Sequence, residues 1–357
     1  MEIEMRSGRL GRAVASFVFC SGILITCASA EGAVGLIENL SGGAYHKSKD
    51  APKWSVAAKG ASLEEGDLVK TASDGRMVLR FEDGSKMNVG NETELEITEF
   101  VLKKKSRSAT FSLSNGKIRA VVNKFSGHSS IHIKTSTSVA GVKGTDFIVM
   151  NQGSTNVLFG KEDAVEVTGD DGKAVMLTPD KMTENTTGSN PIEPVAVEPG
   201  SQLAEVRADL EAMTDVDAPV EWARAGRLPN LLARWNVNYG HYLADSQRFG
   251  EALDVFSIAI DLSEVRQTRA EAHLAKGTVF SRNLNEPQKA LLEYMEVIRN
   301  YPELPFVENA LYSAGSIKME MNDKQGAIEL FKKYLNDYPE GRHRTTIDAF
   351  IKELEKN

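Results

Sequence analysis

The residues able to act as ligands, nucleophiles or proton carriers are few and scattered. The chain has six histidines (His46, His128, His132, His241, His273 and His343) and two cysteines, Cys20 and Cys27. The closest histidine pair is His128-x₃-His132. On a strand, a spacing of four puts both side chains on one face but roughly 13 Å apart, so one ion could not be chelated without a bend. Ile131 and Ile133 flank His132 and claim the core face, which assigns His132 to the solvent side. No His-Glu-x-x-His, Gly-x-Ser-x-Gly or phosphate-binding Gly-x-x-x-x-Gly-Lys sequence is present. No cysteine follows Cys27, which excludes a thiol nucleophile, a cysteine zinc site and a disulfide framework from the rest of the chain. The sequence therefore carries no catalytic, metal or cofactor site. Gly144-Thr145-Asp146 is the one place where an acid beside a hydroxyl invites a catalytic reading, with a plain turn as the alternative.

The charge pattern points the same way. A net charge of −8 argues against general nucleic-acid binding, which needs a basic face to neutralise phosphates. The basic run Lys103-Lys-Lys-Ser-Arg107 lies between two strand patterns and reads as a solvated hairpin loop, with contact to anionic glycan or headgroups as the sharper alternative.

The first thirty residues form an export signal. Arg6, Arg9 and Arg12 precede an uncharged, mostly apolar run from Ala13 to Ala28, which ends in the small-x-small pattern Ala28-Ser29-Ala30. The run is shorter than the roughly 20 residues that span a bilayer as a helix. Cleavage before Glu31 and release to the periplasm or beyond is the reading taken. An uncleaved anchor, and lipidation at Cys27, are the alternatives.

Two halves with different periodicities must position whatever the protein uses. Residues 31–182 alternate apolar and polar, with turn dipeptides such as Asp74-Gly75, Asp83-Gly84, Asn115-Gly116 and Asp171-Gly172. This is an all-β unit: sandwich, barrel or solenoid. Residues 183–200 are rich in Pro, Thr and Ser and read as a linker. Residues 201–228 supply connecting helices, with Ser201 as the cap of a helix over Gln202–Met213. Residues 229–341 repeat. Gly240, Ala252 and Phe256 recur as Gly277, Ala290 and Tyr294, and again as Gly315, Ala327 and Phe331. The Gly-to-Ala spacing is twelve, thirteen and twelve, and Tyr301-Pro302 and Tyr338-Pro339 close two of the units. Small residues are needed where paired helices approach closest, the aromatic fills the gap, and Pro stops the second helix. Residues 342–357 form a capping helix.

This spacing resembles the tetratricopeptide repeat, in the form found in periplasmic proteins such as Tol–Pal coordinators and outer-membrane-assembly lipoproteins. The period of 37 to 38 residues departs from the usual 34. The resemblance implies a helical superhelix that binds a peptide or helix in its concave groove. Counting from the three glycines, the groove positions are Arg234, His241, Asp245, Glu271, Arg282, Asn309, Tyr312 and Glu320, against a reading of each as plain solvated helix surface.

The β half resembles the FecR domain family. Gly66-Asp67-Leu-Val-Lys-Thr71 is similar to its G-D-x-V-x-T, Asp83-Gly84-Ser85 to its D-G-S, and Thr135 through Phe147 to its T-P-x-A-V-A-G-V-R-G-T-x-F. Ser136 stands where that motif has Pro, and Lys143 where it has Arg. The resemblance implies a β-rich, solenoid-like envelope module. It makes Gly141, Gly144, Thr145 and Phe147 structural, with the glycines allowing tight turns and Thr71, Ser85 and Thr145 as side-chain caps. In the family's namesake this domain relays a signal from an outer-membrane receptor to a sigma factor. No cytoplasmic domain precedes the apolar run, so that role is not carried over.

The fold class is then multidomain α+β: an N-terminal all-β FecR-like unit and a C-terminal tetratricopeptide solenoid. The function expected is that of a non-enzymatic periplasmic adaptor, without cofactor, small-molecule substrate or nucleic acid, binding envelope proteins through the groove and the β unit. A membrane-anchored signalling regulator and a cell-wall glycan binder, the latter close to peptidoglycan or the membrane surface, are the alternatives.

Overall fold

The computed structural model describes residues 32–219 and 227–356. The segment read as an export signal lies outside the described residues. From Gly32 onward the chain is one compact unit.

Period-2 alternation builds seventeen strands. Nine of them pair in the order β4 (Ser62–Glu64), β1 (Ala33–Ser41), β6 (Arg76–Phe81), β7 (Lys86–Val89), β9 (Ser106–Val121), β12 (Asp146–Gln152), β13 (Thr155–Glu162), β16 (Lys181–Thr186) and β17 (Val195–Ala196). The second sheet runs β3 (Ser55–Val56), β2 (Ala44–Lys47), β5 (Leu68–Thr71), β8 (Glu94–Lys103), β9 again, β10 (His128–Lys134), β11 (Ser138–Val142), β14 (Val165–Gly169) and β15 (Ala174–Leu177). The two sheets enclose one core that includes Leu79, Phe81, Ile97, Phe111, Ile118, Ile133 and Phe147. Every described pairing is antiparallel except β9 with β10. Of the forms left open by the sequence, this is a sandwich, since solenoid coils would stack in parallel.

The long strand β9 belongs to both sheets. Its inward residues are Ala109, Phe111 and Leu113 in one sheet and Ile118 and Ala120 in the other, so the alternation slips by one between them. Gly116 makes the slip, with φ of +104° and no room for a side chain against Thr93. Asn115-Gly116 was expected to reverse the chain; the glycine instead bends one strand from sheet to sheet.

Eight described helices follow: α1 (Gln202–Thr214), α2 (Leu228–Asp245), α3 (Phe249–Leu262), α4 (Arg266–Thr278), α5 (Pro287–Asn300), α6 (Phe306–Glu320), α7 (Lys324–Asp337) and α8 (Arg344–Leu354). The Ser201 side chain accepts from Ala204 N at 3.2 Å and caps α1 as expected.

The linker expected at 183–200 is part of the fold. Thr183, Glu184, Asn185 and Thr186 are buried in β16, and Ile192 and Val197 are buried beyond it. The physical reason lies in the first sheet. Ile148, Met150, Val157, Phe159 and Met182 point away from the sandwich core and pack with Leu203, Val206, Leu210, Leu232 and Val237 of α1 and α2. A sheet apolar on both faces must be covered on both. Arg76, 1% exposed, adds a clamp: its guanidinium donates to the carbonyls of Asp215, Ala218 and Pro219 at 3.0, 2.6 and 3.1 Å, beyond the end of α1.

Candidate functional site

Paired helices α2/α3, α4/α5 and α6/α7 carry the three repeats. At each glycine the aromatic of the second helix lies flat against the backbone: a Cβ on Gly240 would sit 2.5 Å from the Phe256 ring, one on Gly277 would sit 2.6 Å from the Tyr294 ring, and one on Gly315 would run into Phe331. Ala252, Ala290 and Ala327 are fully buried beside them. The extra residue of the middle repeat has a structural counterpart. Val279–Asn283 is a π-helical turn continuing α4, closed by Leu284 N to Val279 O at 3.1 Å. One wide turn absorbs one residue, and both helix faces stay in register.

The first helices of the repeats line a recess of about 450 Å³ between α2 and α4, with His241, Asp245, Glu271 and Arg282 in its wall. The eight expected groove residues have different fates. Arg234 and Glu271 satisfy each other in a two-pronged ion pair, Nη1 to Oε2 at 2.6 Å and Nη2 to Oε1 at 3.1 Å. That hydrogen bond holds the guanidinium above its ordinary pKa. Tyr312 is stacked on His343 at 3.8 Å and is tied to the junction with α8. Burial, then the neighbouring Arg342 charge, lower the His343 pKa. His241 is exposed and meets Phe256 edge-on at 5.3 Å. The Oδ1 of Asn309 is buried without a donor. Asp245, Arg282 and Glu320 are exposed, and none has an ion-pair or hydrogen-bond partner among the described residues.

The β-unit motifs hold the sandwich together. Asp67, 2% exposed, accepts from Glu64 N and Lys49 N at 3.0 and 3.1 Å and meets His46 Nε2 at 2.7 Å. Gly66 before it has φ of +91°. Thr71 Oγ1 donates to Gly90 O at 2.6 Å and accepts from Thr93 N. Asp83 takes the Ser85 amide and hydroxyl in the turn that Gly84 makes at φ +78°. Thr145 Oγ1 donates to Glu162 O, Phe147 is wholly buried, and Gly144 sits at φ +148° against Lys124. Gly141 departs from the expectation of a turn: it lies within β11, facing the outer side of the sheet beside His132. Asp146 is bonded twice by Arg119, at 2.9 and 2.5 Å, which makes it an ion-pair partner and not a free acid.

Arg107 is the correction of most weight. It does not belong to a solvated loop. Its side chain and that of Asp83 are each 1% exposed, with Nη1 to Oδ2 at 2.6 Å. Its other nitrogens donate to Ser129 Oγ and Asn123 O, and the Phe125 ring lies 5.1 Å away. The exposed side chain of Lys143, where the family motif has Arg, makes no such buried contact; only its carbonyl approaches Arg107. The missed signal is parity: Arg107 shares the inward phase of Ala109, Phe111 and Leu113.

The fold and groove together define a β-sandwich bearing a stack of helical hairpins. Within that class, the chain carries a FecR protein domain, matched at residues 67–161, and a tetratricopeptide repeat, matched at 309–341. It is similar to a candidate anti-sigma factor from Parabacteroides distasonis, solved as crystal structures at 1.65 and 2.50 Å resolution. Identity is 14% and the TM-score 0.33, over 40% of this chain and 64% of that one. The chain thus spans less than two thirds of that protein's length. No curated protein matches the chain. Among the described residues, no helix is long and apolar enough to cross a membrane.

Proposed function

We propose that the protein is an exported, non-enzymatic scaffold of the bacterial envelope whose helical groove holds a segment of a partner protein. The observation that carries this reading is the open recess between α2 and α4, in whose wall Asp245 and Arg282 are exposed and have no partner among the described residues. Exposed charges gathered in one concave recess suit recognition of another chain. The FecR domain and the tetratricopeptide repeat support a role in protein interaction. Export rests on residues 1–30. The β unit then serves as the platform on which the helices are set.

Site-specific photo-crosslinking in cells tests it. A photo-reactive residue at Asp245 should give a discrete protein adduct, and one at Lys332, on the second helix of its repeat, should not. Absence of any adduct from Asp245 and His241 would remove the groove reading. A second reading, a membrane-anchored regulator of FecR type, draws on the match at 67–161. The intact mass of protein extracted from the envelope separates the two, since a chain starting at Glu31 cannot be anchored through the apolar run.

A further inference from the structure

The unpaired charges of the groove have an order. Asp245, Arg282 and Glu320 occupy the same position of successive repeats, five residues after Gly240, Gly277 and Gly315. They form an acidic, basic, acidic row along the first helices. Toward the other end of the same helices, six residues before each glycine, the equivalent row is Arg234, Glu271 and Asn309. There the first two neutralise each other, and Asn309 keeps a buried oxygen without a donor. That row therefore offers a partner no net charge, and the row after the glycines offers three charges of alternating sign.

Resting on the groove reading above, we infer that the partner segment is an extended peptide with the charge order basic-x-x-acidic-x-x-basic. Neighbouring packed helices lie roughly 10 Å apart axis to axis. A chain in the polyproline II conformation rises about 3.1 Å per residue and turns once every three, so three residues carry it from one repeat to the next and present every third side chain to the groove. A Lys or Arg then faces Asp245, an Asp or Glu faces Arg282, and a second Lys or Arg faces Glu320. The pattern reads the same in both directions, so charge fixes the register of the peptide and leaves its direction to other contacts. The π-helical turn serves this arrangement by absorbing the extra residue of the middle repeat, with Arg282 and Asp245 in the wall of one recess.

The test uses the full chain and fluorescently labelled twelve-residue peptides of Gly and Ser. One carries Lys, Glu and Lys at the stated spacing, one the inverted Glu, Lys and Glu, and one the same charges in adjacent positions. Anisotropy at low salt should show the matched peptide binding at least about tenfold more tightly than the inverted one, with the difference shrinking as salt rises. In Arg282→Glu the preference should move to a peptide with Lys at all three positions. Equal affinity for all charge orders would overturn the charge pattern while leaving the groove reading intact. Failure of every peptide to bind, together with no crosslink at Asp245, would end both. Unfolding curves of Arg282→Glu that match the parent show that the exposed substitution has not disturbed the fold.

Discussion

Glu184 of β16 and Asn236 of α2 meet at the seam between the sandwich and the helices, Asn236 Nδ2 lying 3.3 Å from Glu184 Oε2, with both residues fully buried. The second carboxylate oxygen has no partner, nor does the oxygen of the Asn236 amide. Burial in this seam pushes the carboxyl up to about 8, against an ordinary 4.5. The folded state thus holds a proton that the unfolded chain gives up near pH 4.5. Across that window the folded state binds more protons, so stability falls as pH rises from about 5 through 8. In Glu184→Gln this part of the fall should vanish. Thermal unfolding at pH 5, 7 and 9 should show the variant gaining on the parent by a few kcal/mol toward pH 9. Parallel curves for the two proteins would refute a neutral Glu184.

Arg107 and Asp83 should behave as a buried pair. Asp83→Ala strands the guanidinium in the core and should cost about 3–5 kcal/mol, read as a lower denaturant midpoint. Replacing Asp83 by Ala and Arg107 by Met together should cost less than Asp83→Ala alone. A double variant worse than the single one would mean that the hydrogen bonds to Ser129 and Asn123 matter more than the charge.

The glycine–aromatic contacts predict coupled effects. Gly315→Ala should lower stability by about 1–3 kcal/mol through overpacking against Phe331. Phe331→Leu should suppress part of that loss, because a smaller side chain makes room for the methyl. Strict additivity in the double-variant cycle would count against direct contact.

Arg76→Lys keeps the charge but loses the planar fork that bonds three carbonyls. Amide hydrogen exchange should rise in Leu210–Asp215 while the sandwich core stays protected. Unchanged exchange there would show that the apolar seam alone fixes α1.

Much of this was legible from periodicity. The alternation of the strands, the Ser201 cap and the Gly–Ala–aromatic repeat each depend on neighbours within a few residues. Burial that depends on distant pairing was hidden. Thr183 to Gly200 has the composition of a linker, and nothing local shows that β16 pairs with β13 or that α3 packs over it. The run Phe147-Ile-Val-Met150 did carry a hint, since a strand apolar at every position is covered on both faces. The π-turn was present as one surplus residue between Gly277 and Ala290, without a local sign of where the helix would widen. Among the expected groove residues, spacing placed each on its helix. It could not tell that Arg234 would be spent on Glu271, or Tyr312 on His343, leaving Asp245, Arg282 and Glu320 free.

The strand pairing and the apolar seam also decide how the protein can act mechanically. Because β9 runs through both sheets and the helices close over one of them, the groove and the outer face of the other sheet belong to one compact unit. A segment captured between α2 and α4 is therefore held at a set offset from whatever lies against that face. On the function proposed above, such a molecule would act as a spacer and not as a tether.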